Sequence, residues 1–146
     1  RIFPPSVIST VEYALPTERL GAVLAHLARM LRATRYPAPM PPRVRFSIAD
    51  DAALSPADGQ DTAYVRIPAH PHLDSSDYFE AVSDILDRAD ARPLWSTPHQ
   101  KEATDLAHLY PRWGEFALLR AEYDPEGLFL NPYLESLFGI PNERET

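Results

Sequence analysis

The sequence predicts an α+β fold: a split βαβ (ferredoxin-like) layer of antiparallel sheet and helices, followed by a helical C-terminal tail. Three observations carry this. Short β-branched runs and two amphipathic stretches follow one another in the order β-α-β-β-α-β as far as Trp95. Beyond Pro98 the pattern turns helical. The chain has 146 residues, 45% of them hydrophobic, enough for one domain with a real core.

The elements follow in order. "SVISTVEYALP" alternates and is β-branched, which predicts a strand over Val7–Ala14. Pro16 and Thr17 open a helix with Thr17 as its N-cap, and Leu20, Val23, Leu24, Leu27, Met30 and Leu31 recur at helical spacing through Arg32. "YPAPMPP", with four prolines in seven residues, ends it. "RVRFSIA" and "TAYVRIPA" read as the second and third strands, joined by the turn-forming stretch "DDAALSPADGQD". "SSDYFEAVSDILDRADA" is a second amphipathic helix, with Tyr78, Phe79, Val82, Ile85, Leu86 and Ala89 on one face, and "RPLW" a short fourth strand. Helices are then expected over Lys101–Leu109 and Pro111–Tyr123, with "DPEG" closing the second as a turn.

One feature of the tail does not suit a surface appendage. Within "DPEGLFLNPYLESLFG", the residues Leu128, Phe129, Leu130, Tyr133, Leu134, Leu137 and Phe138 make it strongly apolar, and a chain end frays unless something holds it. It has to be buried against something.

Composition removes several classes of function. The formal net charge is −7 with no basic run, so phosphate-backbone binding is not expected, and no nucleic-acid partner is predicted. No apolar run approaches the roughly 20 residues of a membrane span. Cysteine is absent, which rules out disulfides, thiolate metal sites and a thiol nucleophile. His70 and His72 sit two apart, with Asp74 as a third conceivable ligand, but Pro68 and Pro71 favour a loop, so no metal is expected. Asp50 and Asp51 are adjacent and would point to opposite faces of a strand, so turn and cap roles are expected for them rather than a catalytic pair. His26 and His108 read as surface or packing residues.

Three arginines carry more weight. Arg43 and Arg45, two apart on the second strand, project to one face, and Arg66 lies on the next strand. If that face is open, three guanidiniums converge on an anion site; the competing reading is a solvated face with Asp or Glu partners.

The closing stretch "LYPRWGEFALLRAEYDPEGLFLNPYLESLFG" resembles the C-terminal end of the sugar-1,4-lactone and alditol oxidases, FAD-dependent enzymes of the vanillyl-alcohol-oxidase superfamily. "EYALP", "ADDAALSPADGQDTAYV", "YFEAV" and "RPLW" extend the resemblance over nearly the whole chain. It implies that residues 1–97 are the second half of a substrate-binding cap. Residues 98–146 would be a helical segment that packs on a FAD-binding domain not contained in this chain. The implied cofactor is FAD, and the implied partners are the N-terminal FAD-binding half, as a separate chain, and a small-molecule substrate. A first residue of Arg1 fits a piece of a longer chain.

Departures from that pattern matter as much. The family's Arg-Pro-His-Trp-x-Lys has Leu94 in place of the histidine and Thr97 in place of the lysine. Its Glu-x-Arg on the second strand has Arg43 for the glutamate and keeps Arg45. The resemblance therefore assigns Arg43, Arg45 and Arg66 to the substrate side, and Trp95, Thr97 and Asn131 to the cofactor boundary. Arg45 and His99 become the candidates for the catalytic positive charge that the missing lysine would have supplied. An arginine in place of a glutamate points away from a simple alditol and toward an anionic substrate. Two functions stay open: a flavin-dependent oxidoreductase, and a non-catalytic binding or assembly subunit on the same fold.

Overall fold

The computed structural model describes residues 9–70 and 72–140. Strand β1 spans Thr10–Pro16, and β2, β3 and β4 span Arg43–Ser47, Thr62–Pro68 and Arg92–Pro93. Helix α1 (Leu20–Thr34) connects β1 to β2, and α2 (Ser76–Asp87) connects β3 to β4. The sheet order is β2-β3-β1-β4, with every neighbouring pair antiparallel. This is the split βαβ arrangement: α1 carries the chain over the place that β3 later fills, and α2 carries it back over β1.

The core lies between the sheet and the two helices. Alternation along the strands sends Val11, Tyr13 and Leu15 of β1 and Val65 and Ile67 of β3 to that side, with Val44 of β2 packed against them. Val23 and Leu27 of α1 and Tyr78, Val82 and Leu86 of α2 meet them from the helix layer. The Tyr13 hydroxyl and Ser83 Oγ lie 3.0 Å apart, and Tyr36 stacks on Tyr78 with ring centroids 3.8 Å apart.

Several boundaries differ from the sequence reading. Val7 and Ile8 lie outside the described residues. Thr17 is not a helix cap: Pro16 leads into a 3-10 turn over Thr17–Arg19, and α1 starts only at Leu20 without a side-chain cap. Its end is two residues later than expected, at Thr34, where Arg35 takes the left-handed conformation with φ 52°. Of "RPLW", only Arg92 and Pro93 pair as a strand.

The tail holds α3 (Ala103–Leu109), α4 (Trp113–Tyr123) and α5 (Pro132–Phe138). α3 starts at Ala103, not Lys101, because Glu102 and Asp105 form a reciprocal capping box there. Pro111 is not helical, since a proline forces the residue before it out of the helical region, and Tyr110 is extended at φ −108° and ψ 108°. A second apolar cluster of Leu106, Tyr110 and Leu137 has Leu54, Trp95, Leu109 and Trp113 against it. Leu54 and Trp95 precede residue 98, so this second core draws on both sides of the expected boundary.

Arg92 fastens the two parts. Its guanidinium donates to the carbonyls of Leu109 at 2.9 Å, Pro56 at 3.0 Å and Asp58 at 3.1 Å, and lies over the Tyr110 ring. Desolvation is the main influence on this group and lowers its pKa. The expected turn roles of Asp50 hold, its carboxylate accepting from Ala52 N and from Ser55 Oγ.

Candidate functional site on the second face of the sheet

Two-residue alternation that buries Val11, Tyr13, Val65 and Ile67 against the helices must turn Glu12, Tyr64 and Arg66 to the other side. The register completes the array. Glu12 pairs with Arg66, Arg66 with Arg43, and Tyr64 with Arg45. The three arginines singled out from the sequence therefore do share one face, opposite α1 and α2, where they are partly exposed while Glu12 and Tyr64 between them are buried.

At its centre is Glu12, which is 1% exposed. Arg45 donates to Glu12 Oε1 through Nε and Nη2, both at 3.0 Å. Arg66 donates to Oε2 through Nε at 2.6 Å and Nη2 at 2.5 Å. Each carboxylate oxygen thus takes both donors of one guanidinium, so that four charge-assisted contacts converge on Glu12. Arg45 also lies flat on Tyr64, 4.1 Å from the ring centroid. Two of the three arginines therefore follow the competing reading, with an internal carboxylate as partner. Arg43 is exposed and engaged in no ion pair among the described residues.

Glu12 also anchors the neighbouring turn. Its carbonyl accepts from Leu94 N at 2.8 Å and its N–H donates to Thr97 Oγ1 at 3.2 Å. Thr97 Oγ1 in turn donates to the Leu94 carbonyl at 2.9 Å. The 94–97 turn, assigned to the cofactor boundary by resemblance, is held rigidly beside the arginine cluster. Trp95 leaves it edge-on to Tyr110, Trp113 and Phe138.

His99 lies in a different setting from the arginines. The Tyr133 hydroxyl donates to the Trp95 carbonyl at 2.6 Å, so its oxygen accepts from His99 Nε2 at 3.1 Å. Nδ1 accepts from Lys101 N at 3.2 Å. Both bonds call for the neutral imidazole with its proton on Nε2. Desolvation first, and the Lys101 charge second, push its pKa below the ordinary value. This arrangement does not favour His99 as a source of positive charge. Asn131 accepts from Leu134 N at 2.9 Å and caps α5.

Elsewhere, His26, His72 and His108 are exposed, and among the described residues no group of three or more acidic or histidine side chains can hold a metal ion. The central residue of the site, Glu12, was not among the sequence candidates. A lone carboxylate inside the apolar strand "TVEYALP" was the available signal.

The architecture is that of an α+β cap layer, a four-stranded antiparallel sheet under two helices, with a carboxylate–arginine array on its second face and an apolar helical tail beside it. The chain belongs to the D-arabinono-1,4-lactone oxidase family, whose profile matches residues 8–137. It is similar to L-gulono-1,4-lactone dehydrogenase of Mycobacterium tuberculosis, at 36% identity over 88% of this chain. It is also similar to L-gulonolactone oxidase of Bos taurus, at 34% over 87%, and to alditol oxidase of a Streptomyces species, at 30% over 86%. The chain spans about 30% of the length of these relatives.

Proposed function

We propose that this chain is the C-terminal, substrate-covering part of a FAD-dependent oxidoreductase. The substrate would lose hydride from a C–H next to oxygen or nitrogen. For an alcohol or hemiacetal, the C–H bond would break, the hydroxyl proton would leave and a C=O would form, with the two electrons going to the acceptor that a bound flavin would supply. The observation that carries this reading is the family match over residues 8–137 in a chain that leaves the apolar side of its tail open.

That side is well defined. α4 has no buried residue, and Leu118, Tyr123, Leu128 and Phe129 are 75–83% exposed. Trp95, Phe116, Leu119, Phe129, Leu130 and Phe138 are among the residues lining an apolar groove of 410 Å³ beside them. The Asp124 carboxylate accepts from Leu128 N at 2.7 Å and Phe129 N at 3.1 Å, which fixes the turn that presents these two side chains outward. A surface of this kind marks an interface. The occupant proposed for it is the FAD-binding part, which would lie in the length that this chain does not span relative to its relatives.

The residues present fit a place at the edge of a flavin. The 94–97 turn is already rigid, with Thr97 Oγ1 satisfied within the chain, so it would act as a wall that orients the cofactor and excludes water. A flavin bound there supplies the hydride acceptor. Of the two candidates for a stabilising positive charge, Arg45 is favoured: it is 57% exposed on the open face, whereas His99 has both nitrogens engaged as a neutral ring. Arg43, Arg45 and Arg66 suit a substrate that is not a simple alditol and bears an acidic group. The non-catalytic reading has one observation in its favour: Thr97, His99 and Asn131 all use their polar atoms inside the chain.

An absorbance spectrum of the purified full-length protein tests the proposal. A flavin band that bleaches anaerobically with a substrate of this class supports the enzyme. A colourless protein that stays colourless after incubation with FAD overturns it and favours the binding subunit.

A further inference from the structure

Charge bookkeeping on the open face leaves an imbalance. Three guanidiniums face one carboxylate, and Glu12 spends both oxygens on Arg45 and Arg66. Arg43 is left without a counter-ion, directly across the ladder from Arg66. Like charges in that relation repel, with Cβ atoms only about 5 Å apart. An edge strand gains protection from a charge pointing anywhere along it, so protection alone does not call for an arginine facing another arginine. Beside the pair is a small cleft of 120 Å³ lined by Thr10, Met40, Pro41, Arg43, Arg66 and Pro68. Its size suits an acid group and a few carbons.

We infer that this cleft is a carboxylate subsite, with Arg43 as the direct contact, Arg66 as the second, and Glu12 as the residue that positions Arg66. This rests on the reading of the open face as the substrate side, and deepens it by naming where the acid group sits. Of the three arginines, Arg43 alone keeps its whole guanidinium free of Glu12, so it can offer both donors of its fork to a new acid group. A planar carboxylate matches that fork, and a cleft of 120 Å³ holds little more. Position adds a second constraint. The turn at Thr97 is bonded to Glu12, and Arg43 lies two strands away from Glu12, about 10 Å at the usual strand spacing. The carboxylate would therefore be remote from a carbon oxidised near that turn. The substrate class is a sugar acid of the uronic kind, with its acid at one end and its oxidisable hydroxyl at the other, rather than an α-hydroxy acid.

The test is calorimetric binding to the full-length protein, with glucuronate and glucose as probes that share a ring and differ in the acid. Glucuronate is expected to bind at least tenfold tighter than glucose, with Arg43→Met bringing the two affinities together. Arg43 is exposed, so the variant should fold, and its melting temperature checks this. Equal binding of the two probes, or an unaltered preference in Arg43→Met, overturns the inference, as does inorganic phosphate binding tighter than glucuronate. Binding is read without turnover. A protein that binds glucuronate through Arg43 but takes up no flavin would retain the subsite and lose the oxidoreductase reading. A protein whose flavin is reduced by neutral sugars, with no acid preference, would do the reverse.

Discussion

Glu12 is where local chemistry and function meet. A carboxylate at 1% exposure is costly to desolvate, and it is tolerated because two guanidinium forks and the strand ladder surround it. Glu12→Gln is expected to cost about 1–2 kcal/mol, less than a fully buried pair because both arginines are near half-exposed and can rehydrate. Arg43→Met, which removes only an unpaired like charge, should fall within about 0.5 kcal/mol of the wild type. Urea unfolding of both variants separates the two. His99 supplies a pH dependence at the same scale. Its pKa is lowered in the fold, so the unfolded chain binds more protons as pH falls through the ordinary histidine range. The His99 contribution to stability is thus present above the ordinary histidine range and declines as pH falls below about 6.5. A His99→Gln series between pH 8 and pH 5 is expected to flatten part of that slope.

Among the elements, α5 shows how the tail is terminated. Asn131 caps it, Pro132 occupies the first turn, and Gly139 ends it at φ +66°. That backbone region disfavours any side chain, and a Cβ at Gly139 would also lie 3.1 Å from Ala103 Cβ on α3. Gly139→Ala should therefore cost about 1–2 kcal/mol and loosen the α3–α5 contact, measurable as faster hydrogen exchange in both helices. The helical faces themselves were readable as sequence. The six apolar positions picked out in α1, the five in α2 and Ala89 just past its end all belong to the sheet-facing core. Their 3.6-residue spacing is a local property. The starts of α1, α3 and α4 were misplaced, because a 3-10 turn, a capping box and an extended residue before Pro111 decided them.

For the whole molecule, the tail's outer surface dominates expected behaviour. Leu118 and Phe129, at 76% and 83% exposed, belong to the face proposed above to meet the FAD-binding part. Produced alone, the chain is expected to self-associate with rising concentration in light-scattering chromatography, and the double variant Leu118→Gln/Phe129→Gln to remain monomeric. In the full-length protein the same double variant should lower the melting temperature and speed flavin loss. An unchanged melting temperature would mean that this face is not an internal interface.

The sequence by itself determined the element order, the core faces of both helices and the shared face of Arg43 and Arg45. Each follows from a repeat of 2 or 3.6 residues along a local stretch. It also carried the family pattern, from "EYALP" to "YLESLFG". Only the tertiary structure decided that Glu12 takes two of the three arginines, that His99 is pinned as a neutral ring between Tyr133 and Lys101, and that Arg43 alone is left unmatched. Those outcomes depend on β1 lying beside β3, 54 residues away between Glu12 and Arg66, and on α5 returning to the turn at Trp95. No local pattern encodes such distances; the closing of the sheet and the packing of the tail do.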